Sequence, residues 1–336
     1  MKRRVCFFIQ TNNPGVIEYV EFYKVDIQIL EDLGYEVVPC FSFRKIPTEV
    51  DFYFIWWWTY AIFPILMAKM LRRKTVITGT FDLTTPIEGQ GFYLRPFYQR
   101  FLLKMSAQLT DANIMVSKYE QEGMSKEITT GNVFFSPHVL DLGKFVNSDQ
   151  KRRQRHILTI SWMSKNNAER KCIPEIIEAA HLLKAQGQQV QFLIAGKIEE
   201  DGLFLKSRVK QLGLNNVVLF LGQISEEEKI KGLHECGIYL QPSIFEGFGL
   251  AIAEAMACGT PVITSKVGAV PEVTGDHCVY VDGKDPKQIA DAVISVLQNY
   301  EDYLLVAREA QNHIKNNFSY ERRLNDFRQI FETFRL

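Results

Sequence analysis

The chain of 336 residues lacks a charge excess, close cysteine pairs and any long uninterrupted apolar run. Its 39 Lys and Arg balance 39 Asp and Glu to a formal net charge of +0, which removes the electrostatic ground for a nucleic-acid partner. The six cysteines (Cys6, Cys40, Cys172, Cys236, Cys258, Cys278) are scattered. That spacing argues against a disulfide framework or a zinc site and suits reduced, mostly buried thiols in a cytosolic protein. The most apolar stretch, Phe52 to Met70, follows Asp51 and contains Pro64 and Lys69, so a membrane span of about 20 apolar residues is missing. It reads instead as a buried strand from Asp51 to Trp57 and an apolar helix ending at Leu71-Arg72-Arg73-Lys74. Met1-Lys2-Arg3-Arg4 precedes only Val5-Cys6-Phe7-Phe8-Ile9, too short for the apolar core of a signal peptide, and is expected to lead into a first buried strand. Repeats and low-complexity segments are missing too. What remains, 46% hydrophobic and 23% charged residues, is the composition of a soluble globular protein long enough for two domains.

The opening alternates strand, helix and strand. Val5 to Ile9 is an apolar run, Thr11-Asn12-Asn13-Pro14-Gly15 a loop, Val16 to about Leu33 a helix capped by Gly34, and Tyr35 to Pro39 a second strand. Such units build parallel sheets whose ligand sites lie at the carboxyl ends of the strands. Trp56-Trp57-Trp58 stands at the end of the third strand, and two readings stay open: alternate rings pack in the core, or at least one lines an acceptor pocket. Phe92 to Ala107 reads as an aromatic and basic helix. It either packs on the sheet with solvated basic tips, the reading taken first, or lies on an anionic membrane surface. Ser148 to Arg155 is polar and basic without apolar period, which makes it the expected linker and a solvated hinge.

The most informative stretch is Pro242-Ser243-Ile244-Phe245-Glu246-Gly247-Phe248-Gly249-Leu250-Ala251-Ile252-Ala253-Glu254-Ala255-Met256-Ala257-Cys258-Gly259-Thr260-Pro261. It reads as a strand end, a glycine-bearing loop, a helix of strong helix formers stopped by Gly259, and then a buried strand from Val262. A helix N-terminus at a strand's carboxyl end is an anion trap. Glu246 and Glu254 flank it. Carboxylates there would repel phosphate, so they are expected to address hydroxyls.

These residues carry a resemblance. Glu246 and Glu254, with seven residues between them, together with Glu-Gly-Phe-Gly-Leu and Glu-Ala-Met-Ala-Cys-Gly-Thr-Pro-Val-Ile, resemble the paired-glutamate motif of retaining GT-B glycosyltransferases, particularly the group called family 4. The likeness is strong from about Ile157 to Leu297 and faint before it. It implies an α/β fold of two doubly wound Rossmann-like domains facing across a cleft. The first would span residues 1–148, joined by a C-terminal helix at 318–336, and the second, donor-binding domain residues 149–317. It further implies Lys171, then Arg170, on a donor diphosphate; the Phe248, Gly249 and Leu250 N–H groups on the same diphosphate; Glu254 on ribose and Glu246 on the transferred sugar. Gln223 and Ile224 would hold the base, and Gly15 would reach the donor from the first domain. Asp82 stands where the family carries a His-Asp pair, with Phe81 in place of the histidine. Trp162 occupies the position of the family's diphosphate-binding arginine.

The expected activity is transfer of a sugar from a UDP-, GDP- or ADP-linked donor to a glycan, lipid-linked or small-molecule acceptor, with retention. No cofactor is expected. No Asp-x-Asp metal-binding pair appears in a suitable loop, so metal independence is expected as well. The expected location is cytoplasmic, with peripheral contact at the inner face of a membrane left open. Alternatives from other classes are a non-catalytic nucleotide-sugar-binding protein, and a GT-B phosphorylase or epimerase.

Overall fold

The computed structural model describes residues 2–87, 91–129, 131–145 and 151–336, and the backbone alone of 165, 200 and 201. The chain divides into two compact units, residues 1–139 with 318–336, and residues 140–317. The expected boundary at 148 lies outside the described residues.

The first unit is built on a parallel six-stranded sheet of order β2-β1-β3-β4-β5-β6. Its elements are β1 (Arg4–Phe8), α1 (Val16–Tyr19), α2 (Glu21–Asp32), β2 (Glu36–Cys40), β3 (Phe52–Trp56), α3 (Ile62–Met70), β4 (Lys74–Gly79), α4 (Phe97–Leu109), β5 (Ala112–Met115), α5 (Lys118–Glu127) and β6 (Val133–Phe135). Strands β1 and β3 are buried on both faces, which is why they read as unbroken apolar runs rather than alternations. The expected helix from Val16 to Leu33 is two helices, because Val20 is extended at φ −87°, ψ 112°. The expected helix from Phe92 begins only at Phe97. Pro96 forces the preceding Arg95 to extended backbone, leaving a single 3-10 turn at Phe92–Leu94. Trp56 and Trp58 are core residues, and the Trp58 indole donates to Asn113 at 2.8 Å. Half-buried Trp57, with φ +72°, donates to the Tyr23 hydroxyl at 2.7 Å.

The second unit repeats the plan with the order β12-β11-β10-β7-β8-β9. After α6 (Leu142–Phe145) come β7 (Arg153–Ile160), α7 (Lys165–Arg170), α8 (Ile173–Ala185), β8 (Gln191–Ala195), α9 (Glu200–Gln211), β9 (Val218–Gly222), α10 (Glu226–Glu235), β10 (Cys236–Gln241), α11 (Leu250–Ala257), β11 (Val262–Thr264), α12 (Val270–Thr274), β12 (Val279–Tyr280), α13 (Pro286–Gln298) and α14 (Tyr300–Asn317). Every pairing in both sheets is parallel, so all carboxyl ends of one sheet lie along one edge. The expected hinge at 148–155 needs correction where it is described. Arg152 is no solvated tip, since its guanidinium donates to the carbonyls of Leu233, His234, Cys236 and Cys258 and to the Thr260 hydroxyl. It satisfies carbonyls left open at the ends of α10 and α11. Strand β7 already begins at Arg153. Among the described residues no helix is long and apolar enough to cross a membrane.

The last helix, α15 (Tyr320–Phe334), belongs to the first unit. Arg323 on α15 is buried and donates twice to Asp26 of α2, at 2.7 and 3.0 Å, and to the carbonyls of Ser136 and Pro137 at 2.6 and 3.0 Å. Burial pushes the Asp26 carboxyl up despite this partner. The pair therefore positions α15 more than it stabilises the unit. Removing one partner strands a buried charge, however, which costs about 3–5 kcal/mol. Arg323→Ala should lower unfolding stability by that amount in urea titration. Arg323→Met with Asp26→Leu should lower it by clearly less, and equal losses would remove this role from the pair.

Candidate active site

The site forms where β10 ends. Ile238, Tyr239 and Leu240 are fully buried, and the strand closes on the polar, equally buried Gln241. Residues 242–248 form the loop, and Gly249, at φ +98°, ψ +47°, is the N-cap of α11. A side chain there would be strained, which explains the glycine. No side chain caps this helix: the Gly249 carbonyl accepts from the Ile252 and Ala253 N–H groups, and those of Leu250 and Ala251 come too early in the helix for an intrahelical acceptor. Phe248 is buried.

Glu246 is only 7% exposed. Its Oε1 accepts from Gln241 Nε2 at 2.9 Å and from the Ser243 hydroxyl at 2.8 Å. Arg170 Nη1 lies 2.8 Å from the same oxygen and Lys171 Nζ lies 3.8 Å from it. Burial raises the Glu246 carboxyl, but Lys171, Arg170 and the hydrogen bonds outweigh it and hold the group below the usual carboxylate range. Unit charges about 4 Å apart gain about 4 kcal/mol at an effective dielectric of about 20, enough to offset much of the desolvation. Lys171 also donates to Gln241 Oε1 at 3.0 Å and to the Ile160 carbonyl at 3.3 Å. Burial drives its ammonium down to about 8, with Glu246 opposing the shift and Arg170 adding to it.

The backbone places both cations. After Trp162 the short helix α7 forms, and Cys172, at φ +52°, turns the chain sharply into α8. Arg170 is engaged on all sides: its carbonyl accepts from Ile244 N–H, Nη1 donates to the Phe245 carbonyl, and Nε and Nη2 donate to Asn167 Oδ1. It clamps the loop that carries Glu246. Gly268, where a Cβ would meet the Glu246 carbonyl oxygen at 2.2 Å, holds that loop from the other side, and Ala269 N–H donates to the same carbonyl.

Glu254, 8% exposed, meets Lys229 of α10 at 2.8 Å, and Lys229 also pairs with Glu226 at 2.9 Å. These partners raise the Lys229 ammonium against the opposing effect of burial. Gln223 is exposed and Ile224 half-buried, between the carboxyl end of β9 and the N-cap of α10, Ser225. Trp162 is exposed, with Lys197 over its ring at 5.6 Å. Glu246, Lys171 and Arg170 are thus in direct contact, and Leu250 opens the helix on which Glu254 lies.

Gly15 and Asp82 belong to the first unit. Gly15 has ordinary helical angles, φ −63° and ψ −8°, and space for a Cβ, so its backbone does not require glycine. Asp82 is half-buried with φ +53°. Its N–H donates to Glu120 at 2.7 Å, as that of Phe81 does at 2.9 Å. Sequence reasoning missed Gln241, Ser243, Lys229 and Glu120. Gln241 carried a signal, as the single polar residue ending an apolar strand, and Ser243 lies only three residues from its partner Glu246; Lys229 and Glu120 are known only by partners distant in the chain.

A charged, hydrogen-bonded carboxylate and lysine beside an open helix N-terminus can take an anion and a hydroxyl-bearing group side by side. Among the described residues no group of three or more His, Cys, Asp or Glu stands together to hold a metal ion. A family described as glycosyl transferases group 1 matches residues 148–317, half of the chain. The chain belongs to this family.

Its similarity to curated members is moderate. It is 30% identical over 172 residues to the phosphatidylinositol N-acetylglucosaminyltransferase gpi3 subunit of Schizosaccharomyces pombe, covering 51% of this chain and 37% of that one. It is 25% identical over 286 residues to the O-antigen chain mannosyltransferase RfbU of Salmonella typhimurium, covering 84% and 71%. Two solved structures share the fold over 99% of both chains. These are Anabaena Alr3699/HepE in complex with UDP and glucose, TM-score 0.77 at 18% identity, and sucrose-phosphate synthase from Thermosynechococcus elongatus, TM-score 0.80 at 17% identity. The two six-stranded parallel sheets with flanking helices are the Rossmann-like domains of the GT-B architecture.

In this family member the ammonium near 8 gives a pH test. Below about pH 8 Lys171 is charged and fully available to an anion. As pH rises through that value its proton is lost, and binding must recover it. Affinity for a nucleoside diphosphate should be level between about pH 7, above the second phosphate ionisation at about 6, and about pH 8, and fall by up to about tenfold per pH unit above that. Lys171→Arg should flatten the profile in calorimetric titrations, and an unchanged profile would contradict the assignment.

Proposed function

We propose that the chain is a glycosyltransferase that moves a sugar from a nucleotide-diphosphate sugar to an acceptor hydroxyl, with retention and without a metal. The observation that carries this reading is the buried Lys171–Gln241–Glu246 cluster beside the uncapped start of α11. Lys171 and the Phe248, Gly249 and Leu250 N–H groups would take the diphosphate, the place otherwise filled by a metal. Glu246 would accept from hydroxyls of the transferred sugar and Glu254 from the ribose, exchanging part of its contact with Lys229 for the ligand. Gln223 and Ile224 would border the base.

In the reaction the anomeric C–O bond to diphosphate breaks while positive charge near the departing oxygens stabilises them. The acceptor hydroxyl attacks from the same face and passes its proton to the leaving diphosphate oxygen, so configuration is kept. Asp82 and Gly15 would serve from the first unit, where the acceptor, a glycan, a lipid-linked sugar or a small molecule, is also assigned. UDP in the Anabaena protein makes uridine donors the first to try, ahead of GDP- and ADP-linked ones. A cytoplasmic location belongs to the same reading.

Two observations favour a second reading, a non-catalytic nucleotide-sugar-binding protein. Trp162 stands exposed where the resemblance implies an arginine, and Phe81 is buried against Trp58 and Phe92 where it implies a histidine. Donor consumption measured with and without acceptors separates the two readings. Glu246→Ala should abolish transfer and leave nucleotide affinity within about threefold, whereas Glu254→Ala should weaken nucleotide binding about tenfold or more, the loss of a charged hydrogen bond. Undiminished turnover of the first, or unaltered affinity of the second, would overturn the role given to that residue.

A further inference from the structure

The geometry points to the outward face of α3 and α4 as a docking surface for an anionic lipid bilayer. In the sheet order β1-β3-β4-β5, α3 joins β3 to β4 and α4 joins β4 to β5. Both crossovers step in the same direction, and right-handed connections then place both helices on the same face of the sheet. Their inner sides share one core: Ile65 and Ala68 of α3 and Leu103 and Ala107 of α4 pack with Phe8, Ile55 and Met115 of the strands. Their outer sides are apolar as well. Phe63, Leu66 and Met70 face out from α3, and Phe97, Tyr98 and Phe101 from α4, with Met70 79% and Phe97 81% exposed. On α4, Phe97 and Phe101 lie one turn apart and stack at 6.5 Å, so the exposed rings form a continuous ridge. Single exposed apolar residues need no account; a stripe on each of two adjacent helices does.

Charge decides what covers it. Residues 59–74 and 91–110 contain no Asp or Glu in a chain whose acids and bases are equal in number, yet they carry Lys69, Arg72, Arg73, Lys74, Arg95, Arg100 and Lys104. Arg73 and Lys74 pair with Asp51 and Asp111, and Arg100 lies over the Phe92 and Tyr93 rings. Lys69, Arg72 and Lys104 are exposed beside the apolar stripes. A cavity of about 280 Å³ opens there, lined by Tyr93, Phe97, Arg100, Phe101 and Lys104, with Glu127 as its acid. Aromatic rings edged by cations match the boundary between acyl chains and phosphate headgroups, where rings bury and lysines reach the phosphates. Docking of this kind is peripheral, with the rings buried only to the headgroup boundary.

The test is co-sedimentation of the full chain with vesicles of phosphatidylcholine alone or of an equimolar phosphatidylcholine–phosphatidylglycerol mixture. Binding is expected to the mixed vesicles only, and it should weaken as salt screens the headgroups. Phe97→Ser with Phe101→Ser should weaken it about tenfold or more, since two buried rings are lost, with the thermal midpoint unchanged because both rings are exposed. Lys69→Glu with Lys104→Glu should weaken it comparably while keeping the rings. A chain that stays in the supernatant with both vesicles, or variants that sediment like the parent, would overturn the proposal. So would a concentration-dependent dimer that the Phe97/Phe101 variant dissolves without any vesicle binding, which would assign the face to a second copy.

Discussion

A carboxylate that is buried and still charged sets the terms for the second unit. Glu246 can stay ionised at 7% exposure only because cations and donors surround it, and each of these requires a piece of fold. Lys171 and Arg170 need the break between α7 and α8, which Cys172 makes with a left-handed backbone. Gln241 must end β10, and Gly268 must leave room for the Glu246 carbonyl. The same elements leave the start of α11 without a side-chain cap. Positive charge and open N–H groups are therefore adjacent to a hydroxyl acceptor before any ligand arrives. Preorganisation of this kind removes reorganisation cost from the binding of a sugar diphosphate.

The first unit rests on a different balance. Its sheet is filled by large aromatics such as Phe7, Phe54 and Trp56, and the fully buried Arg323 ties α15 to α2 and to the carbonyls after β6. Arg323 thereby joins the far end of the chain to its beginning. The α3–α4 side of the same sheet is apolar inside and carries outward rings and aliphatic chains among its lysines and arginines, unlike the polar outer face of an ordinary surface helix.

What could be read in advance follows the range of the forces. The β10–loop–α11–β11 stretch was legible because apolar runs, helix formers and Gly249 are local signals, and the Ser225-x-x-Glu228 spacing, whose capping box forms on both sides, is a signal of the same local kind. The break at Val20 was not, since Val20 does not interrupt the apolar pattern, and α7 was not, since Lys165–Arg170 has Ala168 as its single apolar residue and so shows no period. Arg152 was misjudged because a basic run looks solvated until its carbonyl partners, drawn from α10 and α11, are in place. For the same reason Lys229 gave no sign that it would meet Glu254. Long-range pairs of polar groups have no period, so the residues that tune the site are the ones the sequence conceals.

The central claim is that the cluster around Lys171 and Glu246 receives a nucleoside-diphosphate sugar. Thermal unfolding across UDP-, GDP- and ADP-linked sugars tests it most directly, because a ligand at about 100 times its Kd adds about 2.7 kcal/mol to the folded state. For a domain of about 150–250 residues that raises the midpoint by about 5–11 °C. The account predicts such a rise with at least one donor class, lost in Lys171→Met. A midpoint that no nucleotide sugar moves, or a rise of equal size in Lys171→Met, would contradict it.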